Sequence, residues 1–132
     1  MTLLKEYLKS QILKLEGTQV QEIQAKSNIL VQHYFKISKA DLHIKDIPLS
    51  TKDIINLDSM FGQLFQNKPV QYITGETYFY NDKFLTPPGV FIPRPETELL
   101  VDCAIEFLSK SKDSLKIIDF CTGSGCILLS IA

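Results

Sequence analysis

Lys116-Ile-Ile-Asp-Phe-Cys-Thr-Gly-Ser-Gly-Cys-Ile-Leu-Leu-Ser-Ile-Ala132 is the stretch whose reading decides the fold class. Residues 116–120 form a short apolar run with β-branched side chains, which predicts a strand. Residues 121–125 predict a glycine turn, and 126–132 are apolar and compatible with a helix. In doubly wound α/β domains such a strand-turn-helix unit builds a crevice for a cofactor at the carboxyl end of the first strand. Asp119 would stand near that end. Gly123 and Gly125 would let the backbone approach a ligand without a Cβ in the way. The plainer reading is a strand followed by an ordinary glycine turn, so the neighbouring residues have to decide.

A dinucleotide fingerprint requires glycine or alanine three residues after Gly125, where Leu128 stands, and a P-loop requires Gly-Lys-Ser/Thr, where Gly125 is followed by Cys126. Neither phosphate motif fits. An acidic residue followed by x-x-Thr-Gly-Ser-Gly instead resembles the first motif of the S-adenosylmethionine-dependent methyltransferases. The resemblance implies that Asp119 and the turn amides would bond the ribose and amino-acid end of that cofactor.

Working outward, residues 109–115 are a polar link. Before it, Leu100, Val101, Ala104, Ile105 and Leu108 predict the buried face of a helix that starts at Pro95, with Glu96 and Glu98 in its first turn. Arg94 is the one arginine among fourteen basic residues and lies between Pro93 and Pro95, which restrict the backbone on both sides. Its planar fork suits bidentate pairing, either with Glu96 or Glu98 as a loop clamp or with a ligand at a pocket edge. Residues 77–80 and 83–86 predict a hairpin linked by Asn81-Asp82, and Pro87-Pro88-Gly89 forces a turn before the extended Val90-Phe91-Ile92.

From Lys68-Pro69 toward the amino terminus the alternating pattern gives way to helical stripes. Leu4, Leu8, Ile12 and Leu15 form one, stopped by Gly17; Val20, Ile23, Leu30, Tyr34 and Phe35 form a second, with a polar gap at Ser27. Ser38 with Asp41 and Ser50 with Asp53 have capping-box spacing, and Ile54, Leu57, Phe61, Leu64 and Phe65 make the last stripe. These stripes can cover one another in a small antiparallel bundle.

The 132 residues suffice for one ordinary domain or two small ones, and 45% hydrophobic with 22% charged residues describes a chain that buries a core. A net charge of −1 gives no basic surplus, so binding to nucleic-acid phosphate is not predicted. No apolar run is long enough for a membrane span, no signal peptide is evident, and a cytoplasmic location is expected. Cys103, Cys121 and Cys126 form neither a disulfide framework nor a zinc pattern. His33 and His43 lack ligand-like partners, so no metal is expected.

Taken together, Pro69-Val-Gln-Tyr-Ile-Thr-Gly75, Phe79-Tyr80, Pro88-Gly-Val-Phe-Ile-Pro-Arg-Pro-Glu-Thr-Glu98 and Asp119-x-x-Thr-Gly-Ser-Gly125 resemble the HemK/PrmC glutamine methyltransferases that modify peptide-chain release factors. The resemblance implies an α+β chain of three parts. These are an all-α bundle for substrate recognition (1–68), a β-hairpin linker (69–92), and the start of a Rossmann-like α/β methyltransferase domain (93–132). It implies S-adenosyl-L-methionine as cofactor, with Asp119, Cys121, Thr122, Gly123, Ser124 and Gly125 as its loop and Phe91 and Arg94 as a pocket wall. It also implies class-I release factors as partners, methylated at the amide nitrogen of the Gly-Gly-Gln glutamine.

Two departures shape the expectation. The family commonly has glycine where Cys121 stands, so a Cβ is added to the turn. The family's Asn-Pro-Pro-Tyr motif, which grips the amide nitrogen, has no counterpart, because this chain contains no Asn-Pro. The ribose-binding acid, roughly twenty residues past such a turn, would also lie beyond Ala132. The chain is therefore read as an amino-terminal portion, inactive alone, whose residues from about 109 onward lack sheet neighbours and pack poorly or pair with another copy. Two other functions stay open: a non-catalytic helical module that binds proteins, and a nucleic-acid adenine methyltransferase.

Overall fold

The computed structural model describes residues 2–111 and 115–132, and within them the chain separates into one unit ending at Thr74 and another starting at Gly75. The first is helical: α1 (Leu4–Leu15), α2 (Ile23–Phe35), α3 (Lys39–Ile44), α4 (Thr51–Phe65) and α5 (Val70–Thr74). Its core joins Leu4, Leu8 and Leu15 of α1 to Leu30 and Val31 of α2 and to Leu57, Phe61 and Leu64 of α4. Each such side chain gains about 1.5–3 kcal/mol from leaving water, and no single helix could gain this alone. Tyr7 meets Phe61 edge-to-face with ring centroids 6.0 Å apart.

Two helix starts are fixed locally. Ser38 Oγ accepts the Asp41 amide at 3.1 Å while Asp41 Oδ2 accepts the Ser38 amide at 3.2 Å. At α4 the Ser50 and Asp53 pair does the same at 3.2 and 2.8 Å. Both boxes satisfy amides that the first turn leaves without partners, with aspartate standing where glutamate is usual. The amino-terminal segment is tied in by backbone: Leu4 donates to Ile47 carbonyl at 2.9 Å and Leu49 to Thr2 carbonyl at 3.0 Å.

Two local expectations are corrected in this unit, and the polar gap of the second stripe gains a position. The stripe begun at Val20 is helical only from Ile23, because Glu22 sits at φ 53° and breaks the spiral; Val20 is nonetheless buried. The polar gap of α2 faces inward: Ser27 and Asn28 are buried, and Asn28 accepts a bond from Gln24 at 3.1 Å. Past Lys68-Pro69 the chain is helical, not alternating. Asn67 at φ 58° ends α4, and Pro69 carbonyl then accepts the amides of Tyr72 and Ile73 at 3.0 and 3.2 Å. The turn so started places Val70 in the core with Ile73 packed against it.

The second unit holds an antiparallel hairpin, β1 (Glu76–Phe79) with β2 (Asp82–Leu85), then α6 (Glu98–Lys110) and α7 (Cys126–Ile131). Glu76 pairs with Leu85 and Phe79 with Asp82, so the two-residue link is Tyr80-Asn81, one residue earlier than the sequence pattern predicted. Tyr80 and Asn81 have φ of 50° and 69°. Positive φ at both central residues is what a type I′ link requires to match the twist of the strands. Phe79, Phe84, Val101 and Cys126 form this unit's core. Pro95 opens a single 3-10 turn, Pro95–Thr97, and the α-helix proper begins at Glu98.

The fold shown is thus a mostly helical domain with a two-stranded hairpin. The expected first strand of a Rossmann-like sheet is not formed: residues 115–119 carry no strand, and the described residues contain only the two-stranded sheet. A strand exists by pairing, and the run at 116–120 has no strand beside it; Ile118 and Phe120 are 74% and 84% exposed. For the same reason the face expected on α6 is only partly covered. Val101 is buried, but Leu100 and Ile105 are exposed. Part of the 109–115 link lies outside the described residues.

Candidate functional site

The glycine turn is built by alternation. Cys121, Gly123 and Gly125 have φ of 62°, 58° and 77°, and Thr122 and Ser124 between them do not share that sign. Alternating signs of φ turn successive amides toward one concave side, an arrangement suited to a carboxylate or another negatively polarised group. Two bonds hold it. Thr122 Oγ1 donates to Asp119 Oδ2 at 2.8 Å, and the Gly125 amide donates to Thr122 carbonyl at 2.8 Å. Gly125 then leads α7, whose Leu129 amide donates back to Gly125 carbonyl at 3.0 Å.

Gly125 is restricted twice. Its φ is left-handed, and a Cβ there would stand 3.4 Å from Leu129 Cδ1. Cys121 departs more: it holds a left-handed φ with a full side chain, a conformation that costs an L-residue about 1–2 kcal/mol. Ser124 Oγ is buried without a hydrogen-bond partner.

Phe91 and Arg94 come together as a pair. The guanidinium lies 5.6 Å from the centroid of the Phe91 ring, in the geometry of a cation–π contact, and both side chains are exposed. Glu98, one of the two acids considered for a clamp on Arg94, is engaged elsewhere, accepting the Tyr80 amide at 2.8 Å. Among the described residues no hydrogen bond, ion pair or ring contact joins the Phe91–Arg94 pair to the turn at 119–125. The eight expected residues therefore form two clusters.

The residues missed by sequence reasoning are those that latch the hairpin link to α6. Tyr80 is held at both ends, its amide by Glu98 and its hydroxyl by Asp102 Oδ1 at 2.7 Å. That bond to a carboxylate raises the phenol's pKa. The spacing of Glu98 and Asp102, one helical turn apart on α6, was the available signal. Among the described residues no three His, Cys, Asp or Glu side chains gather as a metal site would require. No helix there is long and apolar enough to cross a membrane.

A helical unit, a latched hairpin and an alternating glycine turn define the class: a mostly helical domain followed by a two-stranded hairpin and a left-handed glycine turn. Comparison with known proteins narrows this. Residues 6–75 match the model of the PrmC N-terminal domain, and the chain belongs to that family. It is 40% identical over 103 residues to the release factor glutamine methyltransferase of Thermodesulfovibrio yellowstonii, covering 77% of this chain and 37% of that protein. To the protein of the same description from Chlorobaculum tepidum it is 35% identical over 132 residues, covering 96% of this chain and 45% of the relative. A third, from Flavobacterium psychrophilum, is 38% identical over 114 residues, with 84% and 40% covered. The chain spans less than half the length of these curated relatives.

Proposed function

We propose that this chain is the amino-terminal part of a protein-glutamine methyltransferase that uses S-adenosyl-L-methionine and acts on the Gly-Gly-Gln glutamine of class-I peptide-chain release factors. The observation that carries the reading is the alternating left-handed turn at 121–125, following a helical domain of the PrmC family. In this reading residues 93–132 serve the cofactor. The converging amides of 121–125 bond its carboxylate, Asp119 accepts from its polar hydrogens, and Phe91 with Arg94 covers one side.

The cofactor supplies an electrophilic methyl group. The chain's own part is to bind and orient it, and the helical unit's part is to hold the release factor. An amide nitrogen is a weak nucleophile, so transfer also needs groups that position it and accept its N–H bonds. Those groups would come from sequence of the kind that the relatives carry beyond the aligned portion.

A second reading is a binding module without chemistry. It is favoured by one observation: the helical unit has a closed core, whereas 115–120 has no sheet. One assay separates the readings. The protein is incubated with radiolabelled S-adenosylmethionine and a class-I release factor, alone and with the carboxy-terminal part of a relative added. Label at the Gly-Gly-Gln glutamine in either case supports the first reading. Release-factor capture by the chain, unchanged by Gly123→Ala and Gly125→Ala and with no label, supports the second. Label on DNA adenine, in a parallel incubation with a DNA duplex in place of the release factor, overturns both.

A further inference from the structure

The two clusters of expected cofactor residues share one helix. Arg94 caps the turn that opens α6, its carbonyl accepting the Thr97 amide at 3.0 Å, so its backbone is carried by the start of that helix. The glycine turn meets α6 at Val101: Cys126, which follows Gly125, is 7% exposed and lies in one core with Val101. The hydrogen bonds that hold the turn run within 119–125 and into α7, and residues 115–119 before it carry no strand. Its placement relative to Arg94 therefore depends on how α6 is held.

The hairpin holds it. Glu98, Val101 and Asp102 lie at i, i+3 and i+4 and share one face of α6. Val101 is fully buried in the core with Phe79 and Phe84, whose rings meet edge-to-face at 6.2 Å. Tyr80 brackets that contact, its amide donating to Glu98 Oε1 at 2.8 Å and its hydroxyl to Asp102 Oδ1 at 2.7 Å. Two charge-assisted bonds from one residue fix the rotation of the helix about its axis, which non-directional apolar contact leaves free. Tyr80 does this at φ 50°, where a side chain is costly and glycine would suit the link better. Hairpin geometry alone does not account for a tyrosine there.

We propose that Tyr80 is a positioning residue of the cofactor site: by clasping Glu98 and Asp102 on either side of Val101 it sets α6, and through α6 it sets both Arg94 and the glycine turn. Given the function proposed above, the hairpin is then part of the cofactor site and not only a linker.

The test uses the 132-residue chain and three variants. Tyr80→Phe loses the hydroxyl bond, Glu98→Ala loses the amide bond, and Glu98→Gln keeps an oxygen that accepts the amide. Two quantities are measured: the native-state NMR resonances of the Gly123, Gly125 and Leu129 amides, and the affinity for S-adenosylhomocysteine, the cofactor without its methyl group. A variant that is merely less stable leaves its native-state resonances in place. Expected are displaced turn resonances and about tenfold weaker binding in Tyr80→Phe and Glu98→Ala, both restored in Glu98→Gln. Turn resonances unchanged in Tyr80→Phe and Glu98→Ala overturn the proposal. Equal displacement in Glu98→Gln and Glu98→Ala also overturns it, by tracing the effect to charge at the helix start. Displaced and restored resonances in a chain that binds no S-adenosylhomocysteine support the positioning while counting against the cofactor reading of this chain.

Discussion

Tyr34 donates its phenolic hydrogen to Asp53 Oδ1 at 2.9 Å, while Oδ2 of the same carboxylate closes the capping box of α4. One side chain thus joins the end of α2 to the start of α4. Asn56 adds a bond to the Tyr34 hydroxyl at 3.1 Å. Ser50→Ala, which removes only the cap, is expected to cost about 1 kcal/mol. Asp53→Ala, which loses the cap and the tie to α2 together, is expected to cost more than Ser50→Ala, read from urea unfolding followed by circular dichroism. Equal losses would mean that the Tyr34 bond contributes nothing.

The two capping carboxylates make the helical unit sensitive to acid. Asp41 is held down from 3.8 to about 2, first by its bond from Lys45 and then by Ser38. Asp53 is lowered by Ser50, with Tyr34 contributing. A carboxylate more acidic in the folded state than in the unfolded chain stabilises the fold above the unfolded value. That contribution disappears as pH falls through the folded value. The urea midpoint should therefore decline between about pH 4 and pH 2. Asp41→Asn with Asp53→Asn should flatten that decline, and an unchanged slope would contradict the two boxes.

Asp58 accepts from Tyr7 at 2.6 Å and from Gln11 at 3.2 Å. Burial, then the Asp58 bond and charge, drive the Tyr7 phenol far above its ordinary pKa. Gln11 is 4% exposed. Asp58→Ala should remove the acceptor that both donors share and cost about 1–3 kcal/mol, whereas Tyr7→Phe, which keeps the ring on Phe61, should cost less. Thermal melts of the two variants decide; the reverse order would place the energy in the tyrosine hydroxyl.

In the hairpin, Asn81→Gly should tighten the link, since glycine takes a left-handed φ without the penalty of a Cβ. Glu98→Ala should loosen it by freeing the Tyr80 amide. Amide exchange at Thr77 and Phe84 should slow in the first variant and quicken in the second. No change with Glu98→Ala would remove the latch.

Cys121→Gly should relieve the left-handed strain of the turn by about 1 kcal/mol and slow exchange of the Gly125 amide. Cys121→Val, β-branched at the same φ, should speed it. If both variants exchange alike, the turn does not hold the alternating conformation in solution.

What could be read from sequence was whatever neighbouring residues decide among themselves. The capping boxes at Ser38 and Ser50 close over three residues, and the stripe of Leu57, Phe61 and Leu64 needs only the period of a helix. The motif series from Pro69 to Gly125 was likewise legible and pointed to the family.

Contacts between distant residues decided the rest. The hairpin register was missed by one residue, because Tyr80 tolerates its left-handed φ beside Glu98, eighteen residues away. The helix at Val70–Thr74 was missed because its stability comes from seating Val70 and Ile73 in a core made by other helices. Residues 116–120 have strand-like composition and form no strand. The sequence by itself determined the helix starts, the stripes and the motif. Only the tertiary structure decided which apolar residues are covered and which runs pair, because a strand's hydrogen bonds and a side chain's burial are both supplied by distant chain segments.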